Sequence, residues 1–287
     1  MKFEDRRKMP RIVFDSNIPI SPEKYNLYIV ASGNLDYYIR YGLVLAKSHN
    51  KTNQEIPIVF NCIDFPLSLA RSIATKASIK LDRIFFCKTQ LNHKKAISQE
   101  EKTCLYKTIR FEVAHQLQKK ANCSVAVIDI DALFVSNISD FFKDIRQKSI
   151  DAVFGSTYDL CNNSLYESSL QNYPWRTIKA GFSYYNNSSF GKAILSKICQ
   201  KLFNYNDPIP PMDSLKMYNA YYGDQIAILL TLLEFKDSSF KNQPNLSCEG
   251  FSDLSPISFE NPGKNCGIWI PPASYRKKSF PDASTVF

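Results

Sequence analysis

Ser124-Val-Ala-Val-Ile-Asp-Ile-Asp-Ala-Leu-Phe-Val135 is the stretch on which the reading of this chain turns. It is apolar enough for the centre of a sheet, and it ends in two aspartates one residue apart. Residues two apart on a strand project to the same side, so a continuous strand would aim the Asp129 and Asp131 carboxylates at one spot. Two like charges at such a place repel and are costly to desolvate. A divalent cation relieves both costs, which makes the pair a candidate metal site. The structural alternative has one aspartate closing a turn and the other meeting water.

Upstream of this run, strand and helix patterns alternate. Residues 25–32 (YNLYIVAS) read as a strand and 36–48 as a helix; 56–63 (IPIVFNCI) is a strand and 66–77 a helix with Pro66 at its start. Residues 83–88 form a short strand. Ser98 and Glu101 make a capping-box signature for a helix running to about residue 120, where Lys119 and Lys120 suit the negative end of its dipole. Such alternation predicts an α/β fold: a mixed, mainly parallel sheet flanked by helices. Ligands on these sheets collect at the carboxyl ends of strands, near a switch in strand order. Asp129 and Asp131 sit at one such end and Ala31-Ser32-Gly33-Asn34 at another, so the two are expected to wall one crevice.

The second half is less regular. Residues 138–148 look helical, 152–156 and 181–186 strand-like, and 188–203 helical; a polar segment, 162–173, has no clear period. A Pro-rich loop (207–211) precedes a helix containing Tyr222-Gly-Asp-Gln-Ile-Ala-Ile-Leu-Leu230, and beyond residue 235 Ser, Asn and Pro dominate. No linker or repeat divides the chain. One domain spanning 1–287 is expected, regular over about 25–150 and irregular over about 151–287.

Composition narrows the function classes. Hydrophobic residues make up 44% and aromatics 13% of 287 residues, enough for a sizeable core and against disorder. No apolar run approaches the roughly 20 residues of a membrane helix, and residues 1–10 lack a signal-peptide core. A cytoplasmic protein is expected, with peripheral membrane contact left open. Eight cysteines contain no Cys-x-x-Cys pair, which speaks against zinc and for a reduced compartment. A net charge of +9 suggests anionic partners, but the bases are scattered and no nucleic-acid motif accompanies them.

The ordered features resemble those of GT-A fold glycosyltransferases, particularly glycosyltransferase family 8. They are a first strand ending Ala31-Ser32, a helix carrying Tyr106-Lys-Thr-Ile-Arg-Phe111, and the strand ending Asp129-Ile-Asp131. Lys179-Ala-Gly-Phe-Ser-Tyr184 and Gly223-Asp-Gln225 complete the set. The resemblance implies a transferase, retaining at the anomeric carbon, that moves a sugar from a nucleotide-diphosphate donor such as a UDP-sugar to a glycan or lipid-linked saccharide. It implies Mn²⁺ or Mg²⁺ held by Asp131 with Asp129, which alternatively holds the donor's ribose. Hard cations suit such all-oxygen ligation.

Ala31 and Ser32 would receive the base and ribose. Arg110 would serve a phosphate or an acidic partner within the site. Gly181 would let a sugar pass close to the backbone, or is an ordinary strand glycine. Asp224 would hold sugar hydroxyls with Gln225 near the anomeric carbon, although Asp224 also reads as a helix N-cap. Lys277 or Lys278 would reach the pyrophosphate if the basic tail folds over it. The family's C-terminal histidine ligand has no counterpart, since the histidines are His49, His93 and His115. An inverting enzyme would need a general base, for which Asp213, Glu249 and Asp253 are candidates. Two other readings stand beside this one: a haloacid-dehalogenase-like phosphatase, and a non-catalytic sugar-nucleotide or glycan binder on the same fold.

Overall fold

A computed structural model describes residues 10–21, 23–91, 99–156, 178–203, 216–237, 244–249, 255–259, 262, 264–272 and 275. Four strands run parallel at its centre: β2 (Leu27–Gly33), β3 (Ile58–Ile63), β4 (Ile84–Gln90) and β5 (Ser124–Ile128). β2, β3 and β5 are buried along their whole length. Strands covered on both faces need no polar alternation, which is why they read as unbroken apolar runs. Their side chains alternate between two cores instead. Tyr28, Val30, Val125 and Val127 enter one, and Leu27, Ile29, Ala31, Ala126 and Ile128 the other.

The first core is closed by α4 (Gln99–Ala121), α6 (Ser189–Phe203) and α7 (Lys216–Asp237). The second is closed by α2 (Leu43–Lys51), α3 (Leu67–Lys76) and α5 (Ser139–Gln147). The helix expected over 36–48 is α1 (Leu35–Tyr37), a π-helical turn (Tyr38–Gly42) and α2 in succession. Antiparallel strands complete the sheet: β1 (Arg11–Phe14) on one edge, then β8 (Ile178–Tyr185) and β7 (Ala152–Ser156), with β9 (Leu246–Glu249) beyond them parallel to β7. The order is β1-β4-β3-β2-β5-β8-β7-β9. This is the mixed α/β architecture that the alternation predicts; the edge strand β1 was not foreseen.

Chain order reverses between β2 and β5. β3 and β4 are laid down on one side of β2 and β5 on the other, so a crevice opens at the carboxyl ends of β2 and β5. The aspartate pair lies there, but not on a strand. β5 stops at Ile128, Asp129 N donates to Gly181 O at 2.9 Å, and Ala132 N donates to Asp129 O at 3.1 Å, closing a turn. Packing of the intervening residue accounts for the difference. Ile130 plugs into the second core against β2, so close that a Cβ added to Gly33 would stand 2.5 Å from its Cδ1. The side chain between the aspartates thus fixes their turn to the opposite wall.

The segment after the turn is held by a small second sheet, β6 (Leu133–Phe134), β11 (Ile268–Trp269) and β10 (Ile257–Ser258). α2 secures it from behind: Phe134 N donates to Ser48 Oγ at 3.1 Å, and the His49 ring meets Phe134 edge-on at 5.4 Å. His49 Nε2 lies 2.7 Å from Ile56 O. Ser98 of the capping pair, the polar segment 162–173 and the Pro-rich loop 207–211 lie outside the described residues, and the backbone of Glu101 lies within α4. The described cysteines, Cys62, Cys87, Cys104, Cys123, Cys199, Cys248 and Cys266, are all free, and no helix among the described residues is long and apolar enough to cross a membrane.

Burial holds the His49 imidazole down at about 4 from 6.5, the Ile56 carbonyl opposing this and Arg83 adding to it. Below pH 6.5 the unfolded chain takes up a proton that the folded chain refuses until about 4. Stability is therefore lost as pH falls through that window, by about 3 kcal/mol in total. Urea unfolding of the wild type against His49→Gln from pH 7 to 4 measures the term. The wild type should lose stability more steeply, and parallel profiles would contradict it.

Candidate active site

Arg110 sits in the middle of α4, 5% exposed, with its guanidinium toward the carboxyl end of β5. Nη1 pairs with Asp129 Oδ1; Nη2 donates to Asp224 Oδ2 at 3.0 Å and to Ala180 O at 2.9 Å. One side chain thereby joins the turn after β5, the helix α7 and the strand β8. Of the two roles open to Arg110, phosphate or acidic partner, the geometry takes the second. Burial works against its charge, but Asp129, Asp224 and Asp131 together outweigh that and raise its pKa. For Asp224, 5% exposed, burial is the larger influence: it lifts the carboxyl pKa, and Arg110 and Lys107 oppose it without reversing it.

Asp224 is not a helix N-cap. α7 begins at Lys216, which leaves Asp224 inside the helix and brings its carboxylate to Arg110. Its neighbour Gln225 is half-buried, and Gln225 Oε1 has no hydrogen-bond partner among the described residues. Gly181 is explained by packing. An added Cβ would stand 2.9 Å from Asp129 Oδ2 and 3.1 Å from Ile270 Cγ2, so the missing side chain makes room for the carboxylate and for the C-terminal segment crossing the site.

On the opposite wall Ala31 is fully buried and Ser32 is 8% exposed. Asn61 Nδ2 donates to Ser32 Oγ at 3.2 Å, and Thr89 Oγ1 donates to Asn61 Oδ1 at 2.8 Å. This buried polar chain crosses the ends of β2, β3 and β4. Sequence reasoning missed Asn61 and Thr89, although an asparagine within the apolar run IPIVFNCI is the kind of residue that needs a buried partner.

Three carboxylates, Asp129, Asp131 and Asp224, act on one guanidinium, with Lys107 adding a positive charge toward Asp224. Among the described residues, the carboxylates outnumber the positive groups in a place largely shut off from water. Asp129 retains 30% side-chain exposure while pinned to Arg110, and Asp131 is 3% exposed. An all-oxygen donor set of this kind fits a hard divalent cation, and Asp131 and Asp129 are the residues that would hold one. His49 contacts Ile56 and Phe134, and His115 lies 3.5 Å from Glu112, so neither joins the aspartates. His93, Asp213, Asp253, Lys277 and Lys278 lie outside the described residues. Glu249 is on β9 and accepts from Ser255 Oγ at 2.6 Å.

No family model matches the chain. No curated protein matches it either. Among solved structures it is similar to galactosyltransferase LgtC in complex with donor and acceptor sugar analogs, at 16% identity and a TM-score of 0.45, over 78% of this chain and 73% of that one. A likeness of that degree assigns no role to any residue.

Arg110→Met would leave Asp129 and Asp224 without the guanidinium that joins them. Breaking a buried pair in this way costs about 3–5 kcal/mol, read as a fall in urea-unfolding free energy at pH 7. Adding Asp224→Asn should recover part of the loss. A single variant as stable as the wild type would mean that the guanidinium does not join these segments.

Proposed function

We propose that the chain is a glycosyltransferase that takes a sugar from a nucleoside-diphosphate donor with the help of a divalent cation. The observation that carries this reading is the buried Arg110 bridge. It joins Asp129 and Asp224, with Asp131 near enough to act on the same guanidinium, at the strand-order reversal of an open α/β sheet, where such sheets bind nucleotides. Carboxylates in excess would repel a pyrophosphate. A cation between them turns that repulsion into a binding site, which is why the metal and the nucleotide are proposed together.

Mn²⁺ or Mg²⁺ on Asp131 and Asp129 would neutralise the charge that grows on the departing diphosphate. The rest falls to the chain's own groups. Arg110 holds Asp129 in place. Ser32, steadied by Asn61, borders the base and ribose at the end of β2. Asp224 orients a sugar hydroxyl, and Gln225 Oε1, buried without a protein partner among the described residues, accepts another near the reacting carbon. Uridine as the base, retention at the anomeric carbon and a saccharide acceptor on residues 151–287 belong to this same proposal and rest on the sequence resemblance. A phosphatase using Asp129 as nucleophile fits less well, because the Arg110 ion pair lowers that carboxylate's reactivity.

Asp131→Ala should reduce Mn²⁺-dependent affinity for uridine diphosphate by about 100-fold, or about 2.7 kcal/mol, while circular dichroism and metal-free melting stay at wild-type values. Unchanged Mn²⁺-dependent affinity would sink the assignment. In a thermal-shift series of nucleotides and nucleotide sugars, stabilisation reports occupancy. A response to inorganic phosphate alone would favour a phosphatase. Binding of a nucleotide sugar that is never hydrolysed or transferred would favour a binding protein.

A further inference from the structure

Glu112 and His115 lie one turn apart on α4, and Cys199 faces them from α6. Residues three apart on a helix are neighbours. Glu112 follows Arg110 by two positions, roughly 200° around the helix, so this cluster occupies the side of α4 turned away from the aspartates. The three residues are 3%, 9% and 2% exposed. A carboxylate oxygen, a ring nitrogen and the sulfur lie within 4.8 Å of one another.

The polar bookkeeping of this cluster is incomplete. Gln116 Nε2 donates to Glu112 Oε1 at 2.9 Å and fixes that carboxylate, while Oε2 lies 3.5 Å from His115 Nδ1. Both ring nitrogens of His115 are buried, with no hydrogen-bond partner among the described residues, while the Cys199 thiol lies within hydrogen-bonding reach of the Glu112 carboxylate. Nearly all buried polar side-chain atoms in folded proteins have a partner. A buried imidazole with neither nitrogen bonded points to an occupant.

We propose that Glu112, His115 and Cys199 form a second cation site, for Zn²⁺ or a comparable borderline-soft divalent ion, that ties α4 to α6. Sulfur and imidazole nitrogen select such an ion over Mg²⁺ or Mn²⁺, which prefer oxygen. Charge also closes: carboxylate and thiolate balance a divalent cation and the imidazole stays neutral, so the buried assembly carries no net charge. On binding, the sulfur–metal bond forms and the Cys199 proton leaves to solvent. Three protein ligands leave one tetrahedral position for water, reached past the His115 side chain, which keeps 11% exposure. Gln116 is the outer partner that orients the carboxylate ligand. The absence of a Cys-x-x-Cys pair argued against zinc, but that argument covers only ligands close in sequence. Here the second helix supplies the sulfur.

The test uses the full chain, stripped of metal with a chelator and titrated with Co²⁺, a spectroscopic stand-in for Zn²⁺. The expected result is tetrahedral visible bands and a near-ultraviolet sulfur-to-cobalt charge-transfer band that saturates at about one Co²⁺ per chain at this site, ions at the aspartates adding nothing to that band, together with a rise in melting temperature on adding Zn²⁺. Cys199→Ser should remove the charge-transfer band, and His115→Gln should weaken binding by roughly 100-fold. Asp131→Ala should keep both signals, which separates this site from the aspartates. Wild-type protein without a charge-transfer band would overturn the proposal whatever the variants do. So would a band that survives in Cys199→Ser.

Discussion

The buried guanidinium of Arg110 is the constraint on which the architecture of the crevice depends. Asp129 follows β5, Ala180 lies on β8 and Asp224 on α7, and none of these segments is close to another in sequence. A charge taken out of water is tolerated only where several oriented acceptors await it. The arginine therefore demands that all three segments arrive together, and the carboxylates of two of them are balanced by it. Such an arrangement adds little net stability compared with an apolar core. Its effect is to make misplacement of any one partner expensive.

How much of this was legible in the sequence follows from what each feature depends on. β2, β3 and β5 were readable because burial on both faces writes itself as an unbroken apolar run. The reversal in strand order needed only the alternation of elements and the rule that ligands gather at such points. The aspartate turn was readable only as the alternative to a continued strand, and the buried Asp131 not at all. Whether 129–131 continues a strand or bends is decided by Ile130 finding space over Gly33 and Gly42, a contact between distant segments. Asp224 was misread as a possible cap for a related reason: the Gly-Asp-Gln sequence looks like a helix start, yet α7 is already under way from Lys216. Asn61, Thr89 and the meeting of Glu112 with Cys199 are contacts between elements, to which local periodicity is blind.

The charge of the whole chain and that of the three described crevice carboxylates have opposite signs. At +9 the protein draws anions toward its surface, whereas Asp129, Asp131 and Asp224 would turn a phosphate away at the last few ångströms. The two are compatible if long-range attraction concentrates the anion and a bound cation decides whether it can dock. On that view nucleotide affinity is governed by cation occupancy more than by the number of surface lysines. Added salt would screen the approach of the anion while leaving the buried contacts largely intact.

α4 carries the arginine bridge on one side and Glu112 and His115 on the other. A helix is a poor conductor of sideways motion but a stiff rod along its length, so a tie between α4 and α6 restrains the position of Arg110 without touching it. If the Glu112, His115 and Cys199 site is filled, a shift of α4 that would separate Arg110 from Asp129 or Asp224 must also strain the metal bonds. Coupling between sites is reciprocal. A donor and cation bound at the aspartates, by holding Arg110 in its bridge, would hold Glu112 and His115 opposite Cys199. The long helix between the two clusters is thus the element through which stability on one face of the sheet becomes preorganisation of the crevice.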